Sequence, residues 1–393
     1  MTRSNLQFDS CDLWTQLQHP LLQQTWFLGK RFLAAVLVLC LAAPLLPADP
    51  PDRAGLRKAA GQISRLYRDH VRFDYFLDAS GQQHPVTSRG DWQIRRAHVL
   101  AGLTHVTGPL PGPTRRVPLK IEYLEQKPID NSVRHKIRYQ SEPGDQVVGY
   151  LFVPRQTTTR HPAVLCLQQT NREGSVEAAG IRGAPDLAYA RHLSQRGYVT
   201  LAPDYPGFGE SQWDFSRPQD YSSGTMKAIW DNIRAVDLLQ SLPVVDPDRI
   251  GVIGHSLGGH NAMFTAAWEP RLQVIVSNCG FTRFHKDDVP SWTGPRYMPR
   301  IATRFQNSAD RIPWDFPEII ATFAPRPFLA IAPQRDSDFD YQGVQDSIAA
   351  ARPIYQLYGK SHRLKAHYPD TPHAFPAAAR ALAYAFLDQY LKP

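Results

Sequence analysis

The sequence predicts an α/β fold built on a mostly parallel, doubly wound sheet, and three observations carry that expectation. From Ala163 onward, short and nearly continuous apolar runs alternate with helix-length stretches, the pattern of strands that are covered by crossover helices on both faces. One of these runs passes through Gly254-His255-Ser256-Leu257-Gly258 directly into a helical pattern. A closing segment has Pro376 in its first turn and Ala381, Leu382, Ala385 and Phe386 at helical spacing, which supplies a last helix.

Composition fits an ordered globular chain, with 393 residues, 42% of them apolar and 20% charged. The net charge is +8, but Lys and Arg are scattered rather than clustered. This describes a solvated basic surface and argues against a nucleic-acid partner.

At the start, Lys30 and Arg31 precede an apolar stretch from Phe32 to Leu46 that stops at Pro47-Ala48-Asp49-Pro50. The layout is that of a secretory signal peptide over residues 1–48, although the polar lead is unusually long and Leu46 fits a cleavage site poorly. The stretch is shorter than the roughly 20 residues of a stable membrane-crossing helix, so an anchor through 32–46 is the second reading and membrane contact is expected only in transit. An exported protein, periplasmic or secreted, is therefore expected. Cys166 and Cys279 remain after such processing. They fall in apolar runs that are not sheet neighbours, which predicts two free buried thiols.

Apolar residues recur at helical spacing from Asp52 to Val71, and a stretch rich in Gly, Pro and Thr runs from Thr104 to Arg116. These features predict a helical accessory segment at 49–113 and a main domain at 114–393. Strand-like runs at Val117–Leu124, Ser132–Gln140 and Val147–Val153 read as an antiparallel entry to the sheet. The strands that follow are expected at Ala163–Leu167, Tyr198–Ala202, Ile250–Ile253, Leu272–Ser277, Phe328–Ala332 and Leu364–Tyr368. Helices are expected at Ala184–Gln195, Met226–Leu242 and Leu257–Trp268. From about 280 to 320 the alternation is interrupted by a segment carrying Phe281, Phe284, Trp292, Tyr297, Trp314 and Phe316. It is expected to cap the site, with most of these rings packing on the sheet.

A strand, a sharp turn and a helix around Ser256 form the setting that a nucleophile elbow requires. Gly254 and Gly258 admit the tight bend, and Ser256 at the helix N-terminus projects where negative charge is favoured. A serine hydroxyl needs a histidine to take its proton and a carboxylate to orient that histidine. The acid is expected after the next-to-last strand, where Asp336 lies nearest the strand end, with Asp338 and Asp340 as alternatives. The base is expected after the last strand, at His373, while His367 sits within the strand. His255 and His260 flank the nucleophile and are assigned to packing or substrate contact. An oxyanion hole needs two backbone N–H groups. Leu257 is expected to supply one, and either Gln169 or Thr170 the other.

These residues resemble the α/β-hydrolase superfamily, in particular its dienelactone hydrolase-like, acetyl xylan esterase-like and prolyl oligopeptidase-like group. The resemblance spans about Val117 to Lys392 and is carried by DRIGVIGHSLGG, DYPGFGES at Asp204–Ser211, APRPFLAIAPQRD and YPDTPHAFP. It implies Ser256 as nucleophile, Asp336 as acid, His373 as base and Leu257 in the oxyanion hole. Many relatives have His-Gly where this chain has Gln168-Gln169. Such hydrolases need no cofactor or metal, and the sequence has no His-Glu-x-x-His, Cys-x-x-Cys or glycine-rich phosphate loop.

The expected activity is hydrolysis of carboxylic esters through an acyl-enzyme, with a small-molecule or carbohydrate ester such as an acetylated sugar as substrate. A prolyl oligopeptidase-like peptidase using the same triad is the first alternative. A non-catalytic binding protein on the same scaffold is the second. The oligomeric state is left open.

Overall fold

The computed structural model describes residues 60–156, 159–215 and 221–392. The expected signal peptide at 1–48 and the first residues of the expected helix at 52–71 lie outside the described residues. A helical turn at residues 60–63 runs into a 3-10 turn at Ser64–Leu66, and the chain becomes extended at Tyr67. A two-stranded ribbon follows, β1 (Tyr75–Leu77) against β2 (Gln83–Pro85). Next comes a helix for which sequence periodicity gave no signal, α1 (Arg89–Thr107), opened by a capping box between Ser88 and Asp91. It buries Trp92, Val99, Leu103 and Val106 in the same core as the main sheet.

That sheet begins antiparallel with β3 (Glu122–Ile129), β4 (Ser132–Glu142) and β5 (Asp145–Pro154), and continues through β6 (His161–Leu167) and, after α2 (Tyr189–Gln195), β7 (Val199–Pro203). Then follow α3 (Gly224–Ser241), β8 (Val245–His255), α4 (Leu257–Trp268) and β9 (Leu272–Asn278). The chain closes with α5 (Arg300–Phe305), α6 (Phe316–Phe323), β10 (Phe328–Ile331), α7 (Tyr341–Leu357), β11 (Leu364–His367) and α8 (Ala377–Leu391). The strand order is β11-β10-β9-β8-β6-β7-β5-β4-β3. From β7 to β11 all neighbours are parallel, and β5 joins β7 antiparallel. The chain has the α/β-hydrolase fold.

Alternation along the central strands shows why both faces need helices. Leu165 and Leu167 enter the core with α3, α4, α6 and α7, whereas Val164 and Cys166 enter the core with α2 and α8. Cys166 and Cys279 are free and buried.

Three expected elements are shifted. The first strand lies at 122–129 rather than 117–124, because it is an edge strand exposed along nearly its whole length and its register is set by pairing with β4, not by burial. The helix expected at 184–195 starts at Tyr189, after a 3-10 turn at Pro185–Leu187. Within the stretch expected to be helical up to Val71, only its first described residues are.

Of the six aromatic residues expected in the cap, Phe281, Phe284, Trp292, Trp314 and Phe316 are buried and stack on one another, with Phe281–Phe316 and Phe284–Trp314 centroids 5.4 and 5.1 Å apart. Tyr297 is half-buried. No helix among the described residues is long and apolar enough to cross a membrane.

Candidate active site

Every residue from Ile250 to Ala267 is buried except Ser256. It occupies the junction between β8 and α4 with φ 54° and ψ −121°, a conformation that a non-glycine residue keeps only when its surroundings over-determine it. Two close approaches do so. A Cβ on Gly254 would lie 2.1 Å from the Gly258 carbonyl oxygen, and one on Gly258 would lie 1.9 Å from that of Leu167, at the end of β6. The Ser256 amide donates to the Asn278 carbonyl at 2.9 Å, which ties the turn to the end of β9.

Because β8 to β11 are parallel, the loops leaving β10 and β11 open on the same edge of the sheet as Ser256. There His373 Nδ1 stands 2.9 Å from both carboxylate oxygens of Asp336. An ionised carboxylate only accepts, so Nδ1 carries the hydrogen and Nε2 is left as the acceptor. Burial by itself would raise Asp336, but the bond to His373 and its charge outweigh that and hold the acid below its usual range. The Asp336 side chain is 1% exposed. Asp338 is 58% exposed and lies 3.8 Å from the ring, and Asp340 caps α7 by accepting from the Gln342 amide. The His373 ring lies between His255 and Phe339, with centroids at 4.9 and 6.0 Å. His367 ends β11, paired with Ile331.

His255 is buried and pressed down to about 3 by burial, with the His373 charge adding to it. His260 is held at about 3 by burial, and its Nδ1 meets the Gly280 carbonyl at 3.2 Å. Burial thus disfavours the charged form of both rings.

Leu257 is buried at the start of α4 and packs with Tyr205, Phe208 and Ala228. In the loop after β6, Gln169 and Thr170 are each held by a side-chain contact. Gln169 Nε2 donates to Glu177 at 2.7 Å, and the Thr170 hydroxyl meets the Tyr297 hydroxyl at 3.0 Å. The Tyr189 hydroxyl donates to the Leu167 carbonyl. Within DYPGFGES, the buried Asp204 accepts from the Ser175 amide and hydroxyl, both at 2.7 Å, and from the Glu210 amide at 2.8 Å. It thereby braces the adjoining loop.

Sequence reasoning missed Asn278. Its carbonyl holds the Ser256 amide, and its Nδ2 reaches His255 Nδ1 at 2.5 Å and the Ala374 carbonyl at 3.3 Å. One side chain thus links the serine turn to the histidine loop. Glu177 was missed as well. Neither sits in a recognisable motif, so only tertiary contacts expose them.

Cys279, Asp336 and His373 each offer a ligand atom within 4.8 Å of the others. His373 Nδ1 and Asp336 are engaged with each other, however, and burial, reinforced by the Asp336 charge, keeps the Cys279 thiol protonated. This is a hydrogen-bonded cluster rather than a set of free metal ligands.

Putative hydrolase YtaP of Bacillus subtilis is 27% identical over 312 residues, covering 75% of this chain and all of that protein. A 4-O-methyl-glucuronoyl methylesterase of Wolfiporia cocos is 24% identical over 408 residues, covering 92% of this chain and 90% of the relative. Among solved structures, the glucuronoyl esterase from Solibacter usitatus superposes with a TM-score of 0.63 at 20% identity, covering 82% of this chain and 97% of that one. The model of the prolyl oligopeptidase family matches residues 187–393, more than half of the sequence, and the chain belongs to that family.

Proposed function

We propose that this protein hydrolyses carboxylic esters of carbohydrates through an acyl-enzyme on Ser256. The observation that carries the reading is the strained, half-exposed Ser256 on the same sheet edge as an imidazole whose Nδ1 is engaged by a buried carboxylate. Ser256 Oγ attacks the ester carbonyl carbon while His373 Nε2 takes its proton, and Asp336 stabilises the imidazolium and fixes its tautomer. The developing oxyanion accepts from the Leu257 amide and from that of Gln169 or Thr170. Collapse expels the alcohol, which leaves with the proton from His373. Water activated by His373 then attacks the acyl-enzyme, releases the acid and regenerates Ser256.

The carbohydrate part of the reading is supported by the near full-length similarity to a glucuronoyl methylesterase. The segment from 280 to 320 caps the site, with Tyr297 as its contact to the oxyanion loop, and residues 49–113 are read as an accessory segment whose helix α1 docks into the main core. Export through residues 1–48 suits a carbohydrate substrate outside the cell. Family membership favours a second reading, a serine peptidase with the same three residues.

The test is hydrolysis of p-nitrophenyl acetate, acetylated xylan, methyl glucuronate and a Pro-containing peptide amide by the protein and its Ser256→Ala variant. Sugar-ester turnover that disappears with Ser256 is expected. Peptide cleavage without ester turnover would move the protein to the peptidase reading, and ester turnover that survives Ser256→Ala would sink the mechanism.

A further inference from the structure

Where β6 ends against α4 there is a small cavity of about 10 Å³, lined in part by Gln168, Asp204, Asp231, Asn232 and Asn261. Gln168 is only 3% exposed. Four buried atoms of three lining residues, Gln168 Nε2 and Oε1, Asp231 Oδ2 and Asn261 Oδ1, have no hydrogen-bond partner among the described residues. Other polar groups of the lining are engaged elsewhere: Asp204 by Ser175 and Glu210, Asn232 Nδ2 by Thr265 at 2.9 Å, and Asp231 Oδ1 by Lys227 at 2.5 Å. A buried polar atom without a partner costs about 1–3 kcal/mol. Four of them would consume much of the roughly 5–15 kcal/mol by which a domain is stable. The cavity matches one water molecule in volume and in its supply of partners.

We propose that Gln168, Asp231 and Asn261 bind one ordered water, and that this bridge positions the Gln169–Thr170 loop against the helix that follows Ser256. The water accepts from Gln168 Nε2 and donates its two hydrogens to Asp231 Oδ2 and Asn261 Oδ1. Three of the four atoms are thereby satisfied, and Gln168 Oε1 keeps its acceptor capacity. The connection matters because Gln168 immediately precedes Gln169, while Asn261 lies one turn along α4 from Leu257, on the same helix face. The two backbone amides of the oxyanion hole are thus joined from beneath through a single water. Gln168 is a positioning residue here and touches no reacting atom. The inference rests on the acyl-enzyme reading of Ser256.

The test uses the full chain with Gln168→Met, Asn261→Leu, the double variant and Ser256→Ala on p-nitrophenyl acetate, with thermal unfolding of each. Gln168→Met keeps the reach of the side chain and removes its polar head. It is expected to lower kcat about 10- to 100-fold with KM within about 3-fold, because a misplaced donor acts on the transition state. Each single substitution strands the partner's polar atoms, whereas the double removes two members together. The Tm loss of the double variant is therefore expected to be smaller than the two single losses combined.

Wild-type kcat in Gln168→Met, or additive Tm losses, would overturn the inference while leaving Ser256 in place. Turnover surviving Ser256→Ala would instead overturn the reading beneath it. Should Gln168→Met fail to fold, a crystal structure of the unsubstituted protein decides. Density for a water within hydrogen-bond distance of Gln168, Asp231 and Asn261 supports the bridge, and a dry cavity refutes it.

Discussion

Gly258→Ala tests the architecture of the serine turn. The added Cβ would lie 1.9 Å from the Leu167 carbonyl oxygen, 2.5 Å from its carbon and 2.8 Å from the Gln168 carbonyl oxygen. These are backbone atoms, and the Leu167 carbonyl is pinned by the Tyr189 hydroxyl, so no side-chain rotation relieves the clash. The end of β6 and the start of α4 must separate by about 1 Å, which in a close-packed interior costs about 1–3 kcal/mol. At about 2–4 °C per kcal/mol for domains of a few hundred residues, Tm is expected to fall by roughly 2–12 °C. The displacement falls between Leu257 and Gln169, where a 1 Å error costs about 100-fold in rate. The assay is kcat and KM for p-nitrophenyl acetate at a temperature where the variant is folded. Gly112→Ala is the control, since its Cβ would meet nothing within 4 Å at φ −72°. Gly258→Ala with kcat within about 3-fold of the parent would refute the claim that this contact sets the site.

Further outcomes follow from other contacts. Asp336→Asn keeps the shape but lets His373 adopt the wrong tautomer, and kcat for ester hydrolysis is expected to fall by about 10⁴ with little change in KM; a loss below about 10-fold would remove Asp336 from the role. His255 and His260 are held at about 3 by burial, so below the free value of about 6.5 the unfolded chain takes up protons that the folded chain refuses. Stability is therefore expected to rise with pH between about 3 and 6.5, by up to about 1.4 kcal/mol per unit for each ring. Urea unfolding of His260→Asn across that window should show a slope shallower by about one proton, and an unchanged slope would contradict the assignment. Glu318 accepts from Arg95 at 2.5 Å and from His70 at 2.8 Å, all three residues being buried. Glu318→Gln is expected to cost about 3–5 kcal/mol in urea unfolding, because it leaves an uncompensated guanidinium in the interior; a loss under about 1 kcal/mol would show that water reaches it.

What could be read in the sequence was whatever is encoded locally. Strands buried on both faces form unbroken apolar runs, and β6, β8 and β9 were legible for that reason. The edge strand β3 carries no such signal, because almost none of it is buried. Helix α1 was invisible because it buries Arg95 and His98 beside its apolar residues. Arg95 stacks over Tyr67 at 3.2 Å and pairs with Glu318, and Tyr67 meets His98 at 2.9 Å. No hydrophobic period can register a core face built from a guanidinium and an imidazole whose partners lie on distant segments. Ser256, Asp336 and His373 were legible as candidates because each sits just beyond a strand end in a fixed chain order. Asn278, Glu177 and Gln168 were not, since a lone amide or carboxylate carries no local mark of the groups it will meet.

The division of labour in the molecule bears on the choice between ester and peptide. Ser256, His373 and Asp336 all lie within the part matched by the prolyl oligopeptidase family, and the mechanism proposed for them would serve acyl transfer from either kind of substrate. Discrimination has to come from what surrounds the leaving group and the acyl oxygen. On one side stands the loop of Gln169 and Thr170, held by Glu177 and Tyr297, which lies upstream of the matched region. On the other, Lys286, Asp287, Asp288 and Asp338 line a cleft of about 450 Å³ that also borders Asp336. Burial pushes Asp287 up to about 6, and its carboxylate accepts from the Trp292 indole at 2.9 Å. The polar wall of that cleft thus grows from the same segment whose aromatic rings fill the core. On the proposed mechanism, the choice between ester and peptide falls to 280–320 and the 168–177 loop, which flank Ser256, His373 and Asp336 without belonging to them.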